Sequence, residues 1–303
     1  MIKRPMKGAQ LEDLELLRYP LYASPKIDGF RCVLADQPLT SRLSPFPNEY
    51  FRNEMSKLLS DAMLDSEVVV GRRRGPGVLQ RTSSGLTGRA GNPSFRLWVF
   101  DRPGLGSGYG WLERYDIAAD IVRKLDHPRI NLLKHKLITN PEQMQKYIER
   151  QLARGFEGVM TRDPNGPYKE GKSTLREQYL LKIKPFTDFE ARITGWYEEM
   201  ENTNEAKRET TGKLRRSSSK VGKVGKGTLG GFEGTELGTG KPVRVGGGFS
   251  AEQRRRFWLI KDELVASGAI MKCRKQLVGE KDAPRHPTFD SLRPEWDITA
   301  LDD

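Results

Sequence analysis

Short runs of apolar and β-branched residues recur through the first part of the chain and predict the strands of a sheet. The runs are FRCVLA (Phe30–Ala35), SEVVVG (Ser66–Gly71), FRLWVFD (Phe95–Asp101), EGVMTR (Glu157–Arg162) and YLLKIK (Tyr179–Lys184). The segments between them are irregular and unequal, which favours a mixed or antiparallel sheet over a regular βαβ series. Helical spacing is clearest from Pro141 to Ala153, and Gly155 ends it. This part is predicted to be an α+β domain.

The pattern changes after PFTDF (Pro185–Phe189). Ala191–Glu199 predicts a strand, and one helix is marked by a capping box at Ser250 and Gln253 and a stop at Gly268. Further strand-like pieces are Leu229–Phe232, Val243–Val245 and Ile270–Lys275. Short strands with one helix predict a small β-barrel such as an OB-fold, a module that often binds nucleic acid.

The charge of the chain narrows the choice of partner. It carries 52 Lys and Arg against 40 Asp and Glu, a formal net charge of +12, which leaves nucleic acid, an anionic membrane or phosphorylated substrates. No stretch approaches the roughly 20 apolar residues that span a bilayer, and the basic N-terminus does not lead into a signal peptide. Two cysteines and three histidines are too few for a disulfide framework or structural zinc. We expect a cytoplasmic protein in a reducing compartment.

The most informative motif is KIDGFR, which runs from Lys26 through Asp28 to Arg31. Taken alone, the hexapeptide could be an ordinary surface turn. Its chemistry indicates more, because a lysine amine attacks phosphorus only when deprotonated, and a cationic neighbourhood or desolvation lowers its pKa. Arg31 together with Lys182 and Lys184 of LLKIK would supply that field and bind the phosphate under attack.

Further motifs follow KIDGFR in order along the chain. They are SR (Ser41-Arg42), LDSE (Asp65 and Glu67), VFD (Phe100-Asp101), FEGVM (Phe156–Met160) and LLKIK (Leu180–Lys184). Together they resemble the motifs of the covalent nucleotidyltransferases, the superfamily of ATP-dependent DNA ligases, RNA ligases and mRNA-capping guanylyltransferases. GFSAEQRRRFW and PRHPTFDSLRPEWD extend the resemblance through the second domain. It is closest to the minimal two-domain viral ATP-dependent DNA ligases.

The resemblance implies how the nucleotide is held. Lys26 takes AMP from ATP as a phosphoramide, and Arg31 and Glu67 bind the ribose hydroxyls through charged hydrogen bonds. Phe100 stacks on adenine. Taken alone, Glu67 could be a solvated strand-end carboxylate, and Phe100 of WVF could be a core residue.

The resemblance also implies a phosphate and metal site. Glu157 is the implied ligand of Mg²⁺ or Mn²⁺. Lys182 and Lys184, two residues apart on a strand, extend from the same face toward the α-phosphate. Asp28 lies near this phosphate and helps to orient the attacking 3′-hydroxyl.

In the second domain, the resemblance implies that Arg285, Arg293 and Asp297 grip or orient the pyrophosphate leaving group. From the residues alone, the arginines could equally form surface ion pairs. The ending Arg293-Pro294-Glu295-Trp296-Asp297 departs from the cellular pattern, in which Asp stands two residues after Arg and is followed by Lys.

Gly166–Ser173 satisfies the P-loop spacing G-x-x-x-x-G-K-[ST]. We reject this interpretation because Pro167 removes a backbone N–H and Glu170 would place a negative charge beside the phosphates. A strand also follows where a P-loop needs a helix. The resemblance instead implies contacts with DNA phosphates beside the nick from Arg42, Lys169 and Lys172.

A basic stretch rich in Ser and Gly, at about 202–227, interrupts the second domain. It holds eight Lys or Arg and two Glu, a composition typical of a disordered loop. Its position resembles the latch with which viral ligases close around duplex DNA. We expect it to be mobile in the free protein and to bind DNA phosphates. The implied DNA-binding residues are Lys213, Arg215, Arg216, Lys220 and Lys223.

The sequence thus predicts a nucleotidyltransferase (adenylation) domain at 1–187 and an OB-fold domain at 188–303. The predicted function is an ATP- and Mg²⁺-dependent DNA ligase, a monomer that encircles nicked duplex DNA. It would join 3′-hydroxyl and 5′-phosphate ends through a lysyl-AMP and an adenylated DNA intermediate. Two alternatives remain: an RNA ligase or capping guanylyltransferase of the same superfamily, and a non-enzymatic OB-fold protein that binds nucleic acid.

Overall fold

The computed structural model describes residues 2–58, 63–106, 108–208, 214–276 and 282–293. The chain forms two compact units. The first runs to Lys184, and the second comprises Pro185–Arg208 and the chain from Leu214 onward. The first strand of the second unit begins at Phe186, inside the PFTDF segment that the sequence suggested as a join.

The first unit is an α+β assembly. Its strands are β1 (Ala9–Leu11), β2 (Leu21–Lys26), β3 (Phe30–Leu34), β4 (Pro38–Thr40), β5 (Leu64–Val70), β6 (Phe95–Asp101), β7 (Ile130–Leu132), β8 (Lys136–Ile138), β9 (Gly158–Arg162) and β10 (Leu180–Ile183). Its helices are a 3₁₀ turn (Leu14–Leu16), α1 (Glu49–Ser56), α2 (Val78–Thr87), α3 (Trp111–Leu125) and α4 (Pro141–Ala153). The predicted helix from Pro141 to Ala153 is confirmed.

Two five-stranded sheets organise this unit. One has the order β1-β10-β9-β2-β8 and the other the order β4-β3-β5-β6-β7. Most ladders are antiparallel, with parallel pairs at β1/β10 and β6/β7, so the predicted mixed sheet is confirmed. The strand predicted from Ser66 begins earlier, at Leu64. The reason is that the polar residues Asp65 and Ser66 are buried with hydrogen-bond partners, so they do not end the strand.

Each sheet buries one face under helices. The first sheet packs Leu21, Val159 and Leu181 against Met144 and Ile148 of α4. The second sheet packs its apolar face in a core that also contains residues of α1, α2 and α3: Phe51, Met55, Leu86 and Ala118. Since side chains alternate along a strand, the remaining faces are left to the polar motif residues.

The second unit is a five-stranded antiparallel sheet with one helix across its core. The elements are β11 (Phe186–Asn202), β12 (Ala206–Arg208), β13 (Leu214–Arg216), β14 (Lys223–Glu236), β15 (Pro242–Val245), α5 (Ala251–Ala266), β16 (Ile270–Gln276) and β17 (Thr288–Leu292). The main sheet has the order β15-β14-β11-β16-β17. An isolated bridge from Gly247 to Thr288 links the segment after β15 to β17, so the two edges meet. This is the partly open barrel of an OB-fold.

The predicted capping box of α5 is present. The Ser250 hydroxyl accepts from the Gln253 amide at 3.1 Å, and the Gln253 side chain accepts from the Ser250 amide at 2.8 Å. Phe257 of the helix packs beside Phe289, whose ring stacks on Phe249 with centroids 4.4 Å apart. The helix therefore closes the core of this unit.

Part of the described basic insertion is paired backbone. The end of β11 pairs with the start of β14, and β12 pairs with β13 as a separate two-stranded ladder. The sequence predicted a loop because the segment has no apolar pattern. Indeed Leu214, Val221 and Val224 are 66%, 95% and 57% exposed. A two-stranded ladder satisfies its backbone groups without a side-chain core, and for this reason composition alone did not indicate it.

Both cysteines are buried and free, as expected for core residues. No helix in the described part of the chain is both long and apolar enough to cross a membrane.

Candidate active site

Lys26, Glu157 and Lys184 form an ionic cluster on the polar face of the first sheet. The Lys26 Nζ lies 2.5 Å from Glu157 Oε2, and Lys184 Nζ pairs with Glu157 Oε1. The Glu157 side chain is 2% exposed, whereas Lys26 is 21% and Lys184 14% exposed. One buried carboxylate therefore holds two lysines whose side chains are partly exposed.

The strand order explains why residues so distant in sequence meet. Lys26 ends β2, Glu157 precedes β9 and Lys184 follows β10, and these strands are neighbours. Lys26 is in register with Gly158, where a Cβ would lie 2.2 Å from the Ile183 carbonyl oxygen. Only glycine allows the approach that brings Glu157 beside both lysines.

The electrostatics of Lys26 differ from the sequence prediction. Burial by itself would lower the pKa of Lys26, but the charge of Glu157, assisted by Glu67, outweighs it and raises that pKa above its ordinary value. The predicted cationic field of Arg31, Lys182 and Lys184 is therefore not what controls Lys26 here. The pKa of Lys182, in contrast, is lowered by burial and then by Lys184 and Lys26.

Arg31 is held from several sides. Its Nε donates to Asp65 Oδ1 at 2.8 Å, its Nη2 pairs with Asp65 Oδ2, and its Nη1 donates to the Met6 carbonyl. The Tyr168 hydroxyl donates to Asp65 Oδ2 at 2.8 Å and so closes the network. Although burial opposes its charge, Asp65 raises the pKa of Arg31, which stays a fixed cation.

Glu67 stands opposite Arg31 in the β3/β5 register. Burial raises the pKa of Glu67 to about 7, although Lys26 and Arg31 act to lower it. Asp28 contributes to the electrostatics of both Lys26 and Glu67, so it belongs to the same group. A Cβ at Gly29 would lie 2.4 Å from the Val68 carbonyl oxygen, and this close approach requires the glycine of KIDG.

Phe100 lies on β6 beside the cations of this region. Its ring is 5.5 Å from the Arg31 guanidinium carbon and 5.3 Å from that of Arg162. The residue is half-buried. Phe100 is therefore neither a pure core residue nor an isolated surface residue.

The carboxylates of the site fit a metal ion that is held mainly by the phosphates of a bound nucleotide and by water. Within the described residues there is no group of three or more His, Cys, Asp or Glu side chains placed to hold a metal. Glu157 is the buried carboxylate beside Lys26. Mg²⁺ commonly takes one or two carboxylates and completes its shell with water and phosphate oxygens.

Comparison with known proteins identifies this arrangement. A family model described as the ATP dependent DNA ligase domain matches residues 7–184, more than half of the chain, including every motif from KIDGFR to LLKIK. The chain belongs to the ATP-dependent DNA ligase family. A search of curated proteins gives no match.

Solved structures agree over almost the full length. The Chlorella virus DNA ligase-adenylate is 29% identical with a TM-score of 0.55, and the alignment covers 97% of this chain and 99% of that one. A Lig E DNA ligase is 20% identical with a TM-score of 0.69 and coverage of 95% and 99%. The ligase domain of Mycobacterium tuberculosis LigD is 16% identical with a TM-score of 0.50 and coverage of 98% and 97%. The last two matches support the fold of this chain alone.

The residues predicted to touch DNA beside the nick lie outside the ionic cluster. Arg42 is exposed in the turn after β4, and Lys172 is exposed. Lys169 Nζ is paired with Glu177 at 2.7 Å. In Gly166–Ser173, no helix follows the glycines, which confirms that the P-loop spacing is accidental.

The predicted residues of the second unit are described in part. The Arg293 guanidinium pairs with Glu190, and its amide donates to the Ile270 carbonyl at 2.8 Å. The Arg285 carbonyl accepts from the Gln276 amide at 3.1 Å. Arg215, Arg216, Lys220 and Lys223 are exposed on the basic insertion. Lys213 and Asp297 lie outside the described residues.

Sequence reasoning assigned no role to several residues of the site. Tyr168 lies in the segment that mimics a P-loop, and its contact with Asp65 spans 103 residues. Asp101 accepts from the buried Arg114 at 2.9 Å and from the buried Arg162 at 2.7 Å. The VFD motif drew attention to Asp101 but gave no sign of its two partners, because no sequence spacing links them.

Proposed function

We propose that this ligase seals nicks between a 3′-hydroxyl and a 5′-phosphate in duplex DNA by way of AMP bound covalently to Lys26. The observation that carries the proposal is the pairing of Lys26 with Glu157 beside Lys182, Lys184 and Glu67. An amine, several phosphate-binding cations and a buried carboxylate are the groups needed for phosphoryl transfer to lysine.

Lys26 is an ammonium ion in the resting state, because its pKa is raised by Glu157. The Lys26 Nζ must lose this proton and its bond to Glu157 before it can attack the α-phosphate of ATP. Lys182 and Lys184 then bind the attacked phosphate, and Arg31 and Glu67 hold the ribose. Catalysis of such in-line transfers consists mainly of positioning and charge stabilisation.

Glu157 is the residue that would hold Mg²⁺. When bound, the ion would supply neutralisation of the phosphate charge. Asp28 would orient the 3′-hydroxyl of the nick in the last step, after the AMP has passed from Lys26 to the 5′-phosphate. Phe100 would stack on adenine throughout.

The second unit would contribute to two other events. Arg285, Arg293 and Asp297 would bind the pyrophosphate leaving group, which requires Arg293 to exchange Glu190 for phosphate. The basic insertion, with Lys213, Arg215, Arg216, Lys220 and Lys223, would bind DNA phosphates so that a cytoplasmic monomer encircles the duplex. Arg42, Lys169 and Lys172 would contact phosphates beside the nick, and Lys169 would leave Glu177 to do so.

The test is nick sealing with purified protein. A duplex with one nick and a labelled 5′-phosphate should be sealed with ATP and Mg²⁺, and not with GTP. Lys26→Ala should abolish sealing, while Lys124→Ala, an exposed charge on α3, should leave it unchanged. Protein that transfers GMP, or that seals nicked RNA and not nicked DNA, would contradict the proposal in favour of a capping enzyme or an RNA ligase.

A further inference from the structure

A cavity of about 360 Å³ lies in the first unit behind the catalytic lysine. Its wall includes Pro25, directly before Lys26, and Phe156, directly before Glu157. Because successive side chains of a strand point to opposite faces, Pro25 turns away from Lys26. None of the residues assigned above to AMP, phosphate or metal lines this cavity.

The lining is strongly cationic. Its charged residues are Arg73, Lys134, Lys136, Arg150 and Arg154, and it contains no Asp or Glu. None of the five forms an ion pair with a carboxylate of the described residues. Burial and then Arg154 and Arg74 lower the pKa of Arg73, so its surroundings oppose its charge. A bound anion would relieve this repulsion.

Aromatic rings complete the wall and lie near the guanidinium groups. The Arg73 guanidinium carbon lies 3.8 Å from the centre of the Trp98 ring and 5.7 Å from that of Phe156. Arg154 lies 5.6 Å from the Phe156 ring, and Arg150 lies 5.5 Å from the Tyr147 ring. The Arg73 guanidinium, stacked on Trp98, keeps its edge N–H donors available for a phosphate, which suits arginine better than lysine.

One neutral donor also lacks a partner at this place. The buried Nε1 of Trp98 makes no hydrogen bond within the described residues. His135, which also lines the cavity, is neutral, since burial and then Arg162 lower its pKa to about 3. The wall thus offers aromatic faces and five cations within a volume of small-molecule size.

We propose that this cavity is a second nucleotide-binding site, separate from the Lys26 site. It takes the phosphate of a nucleotide on Arg73, Arg150 and Arg154 and the base against the aromatic lining. The same chemistry is offered by a free nucleotide and by an unpaired nucleotide of a DNA strand, because bases of any sequence stack on aromatic rings. The proposal depends on neither adenylation nor nick sealing.

The experiment is isothermal titration of protein whose first site is already filled. The full chain is incubated with ATP and Mg²⁺, desalted, checked by intact mass for one AMP, and titrated with dCMP and with a short oligodeoxycytidylate. We expect saturable binding with one site per chain. Binding of both probes with similar affinity indicates a free nucleotide as the occupant, and tighter binding of the oligonucleotide indicates a strand.

Two variants assign the binding to the cavity. Arg73→Gln, and separately the exposed pair Lys134→Ala/Lys136→Ala, should weaken it about tenfold, as expected for loss of charged hydrogen bonds. The control pair Arg123→Ala/Lys124→Ala removes the same charge from the exposed face of α3 and should bind as the wild type does. Circular dichroism verifies that each variant is folded.

Absence of saturable binding by both probes would overturn the proposal. Equal weakening by the control pair would also overturn it, because the effect would then be one of net charge. The intact mass is recorded before the titration, so failure of AMP to load contradicts the proposed function alone. The comparison of cavity and control variants then still decides whether the second site exists.

Discussion

Two ionic clusters in the first unit have the same pattern of charges but are built from different residues. In each, one buried carboxylate holds two cations: Glu157 holds Lys26 and Lys184, and Asp101 holds Arg114 and Arg162. The arginines are 1% and 4% exposed, whereas the lysines are 21% and 14% exposed. A guanidinium remains charged and binds a carboxylate through a rigid fork, whereas an amine can give up its proton.

The comparison teaches that charge pairing by itself does not identify a reactive site. The Asp101 cluster ties β6 to α3 and β9, and its cations cannot act as nucleophiles. The Glu157 cluster uses lysines, whose side chains are partly exposed and whose amines can give up a proton. We expect the type of cation and its exposure to decide which cluster is chemical and which is structural.

Exchanging lysine for arginine in one cluster, and arginine for lysine in the other, should have the largest effects on adduct formation and stability. Lys26→Arg should abolish the AMP adduct, because the guanidinium is not a nucleophile, and should leave the protein folded. Arg162→Lys should still form the adduct but lose about 1.5–3 kcal/mol of unfolding free energy with a hydrogen bond to a charged group. Intact mass and urea unfolding measure the two effects. An adduct on Lys26→Arg would show that another residue is the nucleophile.

Neutralising the carboxylate of the reactive cluster should affect rate more than stability. Glu157→Gln should slow adenylation at least about 100-fold, the usual loss when a charge-stabilising group is removed. Its urea midpoint should stay close to that of the wild type because both lysine side chains are partly exposed. Single-turnover formation of the adduct measures the rate, with Glu149→Gln on α4 as control. An unchanged rate would exclude Glu157 from catalysis.

Neutralising the carboxylate of the Asp101 cluster should have the opposite effect, with a larger loss of stability than of adenylation rate. Asp101→Asn leaves two buried arginines without a carboxylate and should cost about 3–5 kcal/mol of unfolding free energy. At temperatures where the variant is folded, adduct formation should persist. Urea denaturation followed by circular dichroism gives the cost. A loss below about 1 kcal/mol, far short of that range, would show that the cluster is not structural.

The smallest effect concerns Glu67, whose pKa is raised by burial from 4.5 to about 7. Between these values the folded state holds more protons than the unfolded state, so stability contributed by protonated Glu67 is present at low pH and is lost as pH rises through about 7. Glu67→Gln should therefore flatten the decline in melting temperature from about pH 5 to pH 8. If the variant declines as steeply as the wild type, another group is responsible.

Much of the fold could be predicted because local signals agreed. Asn140 caps α4 by accepting from the Gln143 amide at 2.9 Å, and Pro141 occupies the first turn, so the helix begins where the sequence placed it. The ladder of the basic insertion could not be predicted, since its backbone pairing requires no apolar side chains. The strand at Leu64 began early because its polar residues find buried partners.

The residues of the site also divide into those that the sequence predicted and those that it did not. Spacing and order of motifs led to Lys26, Glu157 and Lys184, but the sign of the pKa change at Lys26 was wrong. That sign depends on a contact with Glu157 across 131 residues. The Tyr168 hydroxyl, the Met6 carbonyl and the two arginines on Asp101 were missed for the same reason. Only the packing of the two sheets brings them to the motif residues.

The most direct test of the account is a peptide map of the wild-type protein after incubation with ATP and Mg²⁺. If the Glu157 cluster is the reactive one, the intact mass should rise by one AMP, and the modified peptide should carry it on Lys26. Lys182 and Lys184 should be unmodified. AMP located on any residue other than Lys26, or no adduct on protein shown to be folded, would contradict the central claim.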